Sequence, residues 1–76
     1  MLAILEQILS YLVEHPKEIQ ITQFAGQKTV IFELRCNKKD IGKIIGKNGK
    51  TVNSIRAILS SLAARDGQRA VFEVVE

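Results

Sequence analysis

From Ile41 to Ala63 the apolar residues recur at intervals of three and four, the period of a buried helical stripe. The run is cut in the middle by Gly46-Lys47-Asn48-Gly49. A single long helix cannot carry two glycines three apart without a large loss of stability. The stretch therefore reads as two helices joined by a tight turn. Its core, "IGKIIGKNGKTVNSI" at residues 41–55, holds three glycines, lysines at 43, 47 and 50, and no acidic residue.

The periods on either side complete the outline. Leu2, Leu5, Ile8, Leu9, Leu12 and Val13 keep helical spacing, and that helix stops before Pro16. Ile19, Ile21 and either Gln23 or Phe24 indicate a strand over about residues 17–25, turning at "AGQK". In "TVIFELRC", Val30, Phe32, Leu34 and Cys36 face one way and Glu33 and Arg35 the other. Asn37 with Asp40 resembles a capping box and opens the first helix of the pair, with Ile41, Ile44 and Ile45 on one face. The second helix runs from about Lys50, places Val52, Ile55, Leu59, Leu62 and Ala63 on a stripe, and ends near Gly67. Ala70, Phe72 and Val74 alternate in a closing strand.

The order is αββααβ. A strand, a helical crossover and a returning strand favour parallel pairing of the second and third strands, while the first two form an antiparallel hairpin. The expected fold is α+β, with three helices packed on one face of a mixed three-stranded sheet. With 76 residues and no linker, repeat or low-complexity stretch, residues 1–76 read as one small domain.

Charge is not spread evenly. Arg35, Lys38, Lys39, Lys43, Lys47, Lys50 and Arg56 stand against Asp40 alone, whereas the rest of the chain holds four basic and seven acidic residues. A basic focus of this kind points to a polyanionic partner. In the turn, Gly46 and Gly49 let a ligand backbone approach the peptide groups. The amino end of the second helix offers N–H groups and positive dipole there, and Lys47 adds a full charge. A phosphate fits that description. Other glycine motifs fail: a P-loop needs glycine where Ile44 stands, and glycines at 42, 46 and 49 do not match G-x-G-x-x-G.

With these residues in view, "IGKIIGKNGKTVNSI" resembles the core signature of KH domains, in which an Ile-Gly-x-x-Gly turn joins two helices and clamps single-stranded nucleic acid. Ile45, Val52 and Ile55 stand at its apolar positions. The αββααβ order resembles the bacterial type II arrangement, which carries its extra helix and strand ahead of the core. Over its whole length, "EHPKEI" and "NSIRAIL" included, the sequence is similar to the KhpA family of small bacterial RNA-binding proteins. The resemblance implies binding of about four unpaired RNA nucleotides with no chemistry performed. It puts phosphates on Gly46, Lys47, Asn48 and Gly49, and bases on a groove of Ile41, Ile45, Val52 and Ile55. Lys43 and Lys50 flank the loop and add general attraction, and Arg56 stands where it can reach a phosphate or a base. Single-stranded RNA is the implied partner, with a role as RNA chaperone or regulator, and with dimers of two like chains or with a second KH-containing protein.

The remaining residues offer less. Ile44, Leu59, Phe32 and Phe72 read as core, Cys36 as a small buried hydrophobe, and His15 as a cap or solvated side chain. One histidine, one cysteine and no clustered carboxylates leave a metal site or catalytic triad without raw material. No enzyme, cofactor or metal is expected. Polar residues interrupt the first helix, so no membrane span is expected, and a cytoplasmic protein is the simplest reading. The competing function is a protein-interaction module that uses the same scaffold for dimerisation. A lysine-bearing loop counts against it, since interface cores are depleted in lysine.

Overall fold

A computed structural model describes residues 1–76. Helix α1 spans Leu2–Leu12, strands β1 and β2 span Gln20–Ala25 and Thr29–Arg35, helices α2 and α3 span Lys38–Ile45 and Lys50–Ala64, and strand β3 spans Arg69–Val74. The sheet order is β1-β2-β3, with β1 antiparallel and β3 parallel to β2. The element order and pairing are those expected from the sequence, and the fold is that of a type II KH domain.

Alternation along the strands decides which face is covered. Ile21 lies opposite Leu34, and Phe32 lies beside Phe72, so these side chains point together towards the helices. Leu5 and Leu9 of α1, Ile44 of α2, and Val52, Ile55 and Leu59 of α3 close over them as one core. Helix α3 ends in a Schellman motif: Gln68 N–H donates to the Ala63 carbonyl, Gly67 N–H donates to Ala64, and Gly67 takes φ +68°.

Three local expectations need correction. The first strand begins at Gln20 rather than near residue 17, because Pro16–Glu18 winds into a single 3-10 turn closed by Glu18 N–H on the His15 carbonyl. Proline fixes φ near the helical value, which suits the first position of such a turn. Cys36 lies just past the end of β2 and is half-buried. Burial, then the charges of Asp40 and Glu18, push its thiol up and leave it a poor nucleophile at neutral pH.

The third correction concerns Asp40, which does not complete a capping box. Asn37 caps α2 alone, its Oδ1 accepting from Lys39 N–H at 2.8 Å. The Asp40 side chain is fully buried and turns the other way. It accepts from Glu14 N–H at 3.1 Å and from His15 N–H at 3.0 Å, and its Oδ2 lies 3.1 Å from His15 Nδ1. His15 is thus engaged with Asp40 rather than free in solvent. One carboxylate joins the first turn of α2 to the segment that follows α1.

Burial by itself would raise the Asp40 carboxyl, but the two backbone donors and the His15 ring outweigh it and hold the group below its ordinary value. A depressed folded value means the contribution to stability is complete above the ordinary carboxylate range and is lost as pH falls through the lower folded value. Asp40→Asn, which leaves one donor facing an amide, is expected to lower the melting temperature clearly at pH 7. The gap between variant and parent should narrow as pH falls below the ordinary carboxylate range, where the unfolded parent takes up the proton first and the folded one only at lower pH. Thermal melts of both proteins from pH 7 to pH 2 check this; a constant gap would remove the assigned role.

Candidate nucleic-acid interface

The turn between α2 and α3 is built on backbone that side chains resist. Gly46 has φ +75° and ψ 171°, Asn48 has φ +57° and ψ 27°, and Gly49 has φ +75° and ψ 11°. The Gly46 values belong to a region essentially reserved for glycine, whereas Asn is among the residues that best tolerate the left-handed region. A Cβ on Gly46 would also collide with Thr51, whose backbone nitrogen would lie 2.9 Å away. Gly46 N–H closes α2 on the Gly42 carbonyl, and Gly49 N–H turns back onto the Gly46 carbonyl.

The amino ends of the two helices differ. Asn37 caps α2, but no side chain caps α3 behind Gly49. Lys47, Asn48 and Lys50 are exposed around that end, and neither lysine has a carboxylate within 4.0 Å. Lys50 N–H is taken by the Lys47 carbonyl; the helix dipole and two unpaired ammonium groups converge on one exposed turn that no side chain caps.

The apolar candidates divide by depth. Ile41 and Ile45 are half-buried at the surface of α2, while Val52 and Ile55 are only 7% and 2% exposed. Ile45 packs against the core that holds Val52 and Ile55. Ile44 and Leu59 are core, as their spacing indicates.

Two of the flanking cations are already engaged. Lys43 pairs with Glu14 and lies 3.9 Å from Asp40 Oδ1, because its turn of α2 faces the segment after α1. Arg56 Nε donates to the Phe72 carbonyl at 3.2 Å, and its Nη1 donates to Asn53 Oδ1 at 3.4 Å. It bridges α3 to the edge strand. Beside it a cleft of about 360 Å³ runs along β3, lined by Arg56, Ser60, Arg69 and residues 70–73. Sequence reading missed this cleft, and also the Asp40–His15 link, because nothing local in the chain marks either. No helix is long and apolar enough to cross a membrane.

The position of each glycine predicts its tolerance. A Cβ on Gly42 would meet nothing within 4 Å, so Gly42→Ala is expected to stabilise the helical position by about 0.5–1 kcal/mol. Gly46→Ala should cost about 1–3 kcal/mol from backbone strain alone, with the Thr51 collision added. Denaturant titrations of the two variants check the contrast; equal effects would mean that the turn is not held as described.

The family model "KhpA/KhpB, KH domain" matches residues 3–74. A protein of Chlamydia pneumoniae named "RNA-binding protein KhpA" is 44% identical over 72 residues, covering 95% of this chain and 92% of its own length. Proteins of the same name from Aquifex aeolicus and Clostridium acetobutylicum are 36% and 35% identical, covering 96% and 95% of this chain and 92% and 96% of their own. No solved structure matches it significantly.

Proposed function

The chain belongs to the KH domains of the KhpA/KhpB family, and we propose that it binds single-stranded RNA through the Gly46–Gly49 loop, as an RNA chaperone or post-transcriptional regulator. The observation that carries this reading is the uncapped amino end of α3, set behind an exposed turn that carries Lys47 and Asn48. A phosphate there accepts from backbone N–H groups, lies on the positive end of a 15-residue helix, and meets unpaired ammonium groups. The relatives named as RNA-binding proteins support the choice of polyanion.

In this reading Ile41 and Ile45 carry the bases, and Val52 and Ile55 keep that surface in place. Lys50 adds a second charge to the loop. Lys43, held by Glu14, contributes less than its position in the chain implies. Arg56 has further guanidinium N–H groups beyond the two it uses, so it can meet RNA without releasing the Phe72 carbonyl. An RNA partner puts the place of action in the cytoplasm. One site of about four nucleotides is weak. We therefore take the chain to act as a homodimer, or as a heterodimer with a second KH-containing protein, since two linked sites gain by avidity.

The test replaces Lys47 and Asn48 together by Asp and leaves Gly46 and Gly49 in place. Both residues are exposed, and Asp tolerates the left-handed backbone that Asn48 adopts. Stability should change by no more than about 0.5 kcal/mol. Affinity for single-stranded RNA should collapse, and any residual binding should lose roughly 0.7 log units of salt slope for each phosphate contact removed. A variant that melts like the parent and still binds RNA like the parent would assign RNA elsewhere and leave the loop to a protein partner.

A further inference from the structure

The sheet has two free edges, and only one of them is guarded. On β3 the Arg56 guanidinium lies across the Phe72 carbonyl. Strand β1 has no such cover, since no side chain hydrogen-bonds to its backbone. Its sequence, QITQFA over Gln20–Ala25, holds no charged residue and no proline, the usual means of keeping an edge from pairing.

Register shows which backbone groups stand open. Gly26 N–H donates to the Thr29 carbonyl at 2.8 Å, so that pair is hydrogen-bonded. Bonded and non-bonded pairs alternate along an antiparallel ladder, which turns the backbone of Phe24, Thr22 and Gln20 inward to β2. The N–H and C=O groups of Ile21, Gln23 and Ala25 therefore point out of the sheet. These three residues lie opposite Leu34, Phe32 and Val30, which are buried beneath the helices. Thr22 and Phe24 place their side chains on the other, open face of the sheet.

Beside this edge, on the helical side, lies a cavity of about 320 Å³ lined by Glu6, Ser10, Pro16, Ile19 and Ile21. Glu6 and Ser10 stand four residues apart on α1 and share a helix face. Ser10 Oγ donates to the Gln7 carbonyl at 2.7 Å, so what it has left to offer is its lone pairs. Glu6 has no cation within 4.0 Å. The lining thus combines apolar residues with side-chain acceptors and contains no cation.

We infer that the β1 edge takes an extended segment of a partner protein that carries a lysine or arginine, added to the sheet as a fourth strand antiparallel to β1. Its backbone meets the open groups of Ile21, Gln23 and Ala25. The residue opposite Ile21 has its side chain on the same face as Ile21, and so in the cavity. A lysine or arginine there lays its stem along Ile19 and Ile21 and brings its charge to Glu6 and Ser10. Strand addition draws affinity from the main chain and specificity from such a pocket. A nucleic acid does not fit, because phosphates accept without donating and Glu6 repels them. The inference is independent of the RNA reading, since α1, β1 and the segment between them form the whole site.

The probe is a synthetic peptide with blocked ends, Thr-Val-Thr-Val-Lys-Val, which sets its lysine opposite Ile21 when its first residue meets Ala25. A control peptide has glutamate in place of lysine. Amide hydrogen exchange by NMR reads the edge directly. In the free protein Ile21, Gln23 and Ala25 should exchange fast while Thr22 and Phe24 are protected. The lysine peptide at about 1 mM should slow all three at least about twofold, as a Kd near 1 mM or below requires. Gln23→Pro removes an outward N–H and no bond to β2, so the fold should persist and the protection should vanish. Glu6→Lys should reverse the preference, the glutamate peptide then binding at least about threefold better than the lysine peptide. The Glu6 arm decides alone if the proline variant does not fold. Affinity for single-stranded RNA should match the parent in both variants, which keeps this test separate from that of the loop. No protection by the lysine peptide, or equal protection by both peptides, would overturn the inference. Protection of the three amides by single-stranded RNA, or by concentrating the chain alone, would also overturn it and assign the edge to RNA or to a second copy.

Discussion

Gly46 has no room for a side chain, and most of the site geometry follows from that. Its backbone lies against Thr51, so the chain leaves α2, reverses and enters α3 within four residues. The reversal brings Ile44 and Val52 into the same core. It also leaves the amino end of α3 at the surface without a side-chain cap, and it pushes Lys47 and Asn48 outward. A side chain at Gly46 would force Thr51 away and open the angle between the helices. Core packing, helix dipole and loop exposure therefore depend on one missing Cβ.

Such a turn works only if α2 is itself held. At eight residues α2 is too short to persist alone in water, and its stability has to come from tertiary contacts. Ile44 supplies one by packing into the core. Asp40 supplies another at the opposite end, where its buried carboxylate fixes the backbone of Glu14 and His15 and also sits favourably in the first turn of the helix. The helix is gripped at its start by a long-range carboxylate and at its end by the Gly46–Thr51 contact. The loop is positioned from both directions.

What was legible in the sequence was whatever chain-local physics determines. The switch from helical to alternating period gave the elements, the parallel crossover gave the strand order, and the glycine pair gave the turn. Misreadings fell where one residue answers to another far away. Asn37 and Asp40 carry the local pattern of a capping box, but Asp40 finds better donors 25 and 26 residues earlier. Lys43 and Arg56 look like free cations in a basic run, yet Glu14 and the Phe72 carbonyl take them up. Phe24 could have faced either way, and only the register with Ile31 puts it on the open face. The edge of β3 has Arg56 laid across one of its carbonyls, which blunts it against pairing with another strand.

These long-range pairings redraw the basic run itself. Of its seven cations, Arg35 lies on the open sheet face beside Glu33, Lys43 is paired, and Arg56 is committed to β3. Lys38 and Lys39 begin α2, about 12 Å along its axis from the loop, and Lys47 and Lys50 stand at the loop. The positive charge available at one point is therefore two ammonium groups and a helix end, enough for one or two phosphates. Each phosphate neutralised contributes a modest, salt-sensitive increment to RNA affinity. In the RNA-binding reading proposed for the loop, a site so small gains specificity only by fixing where a strand crosses the loop, and gains strength only by repetition.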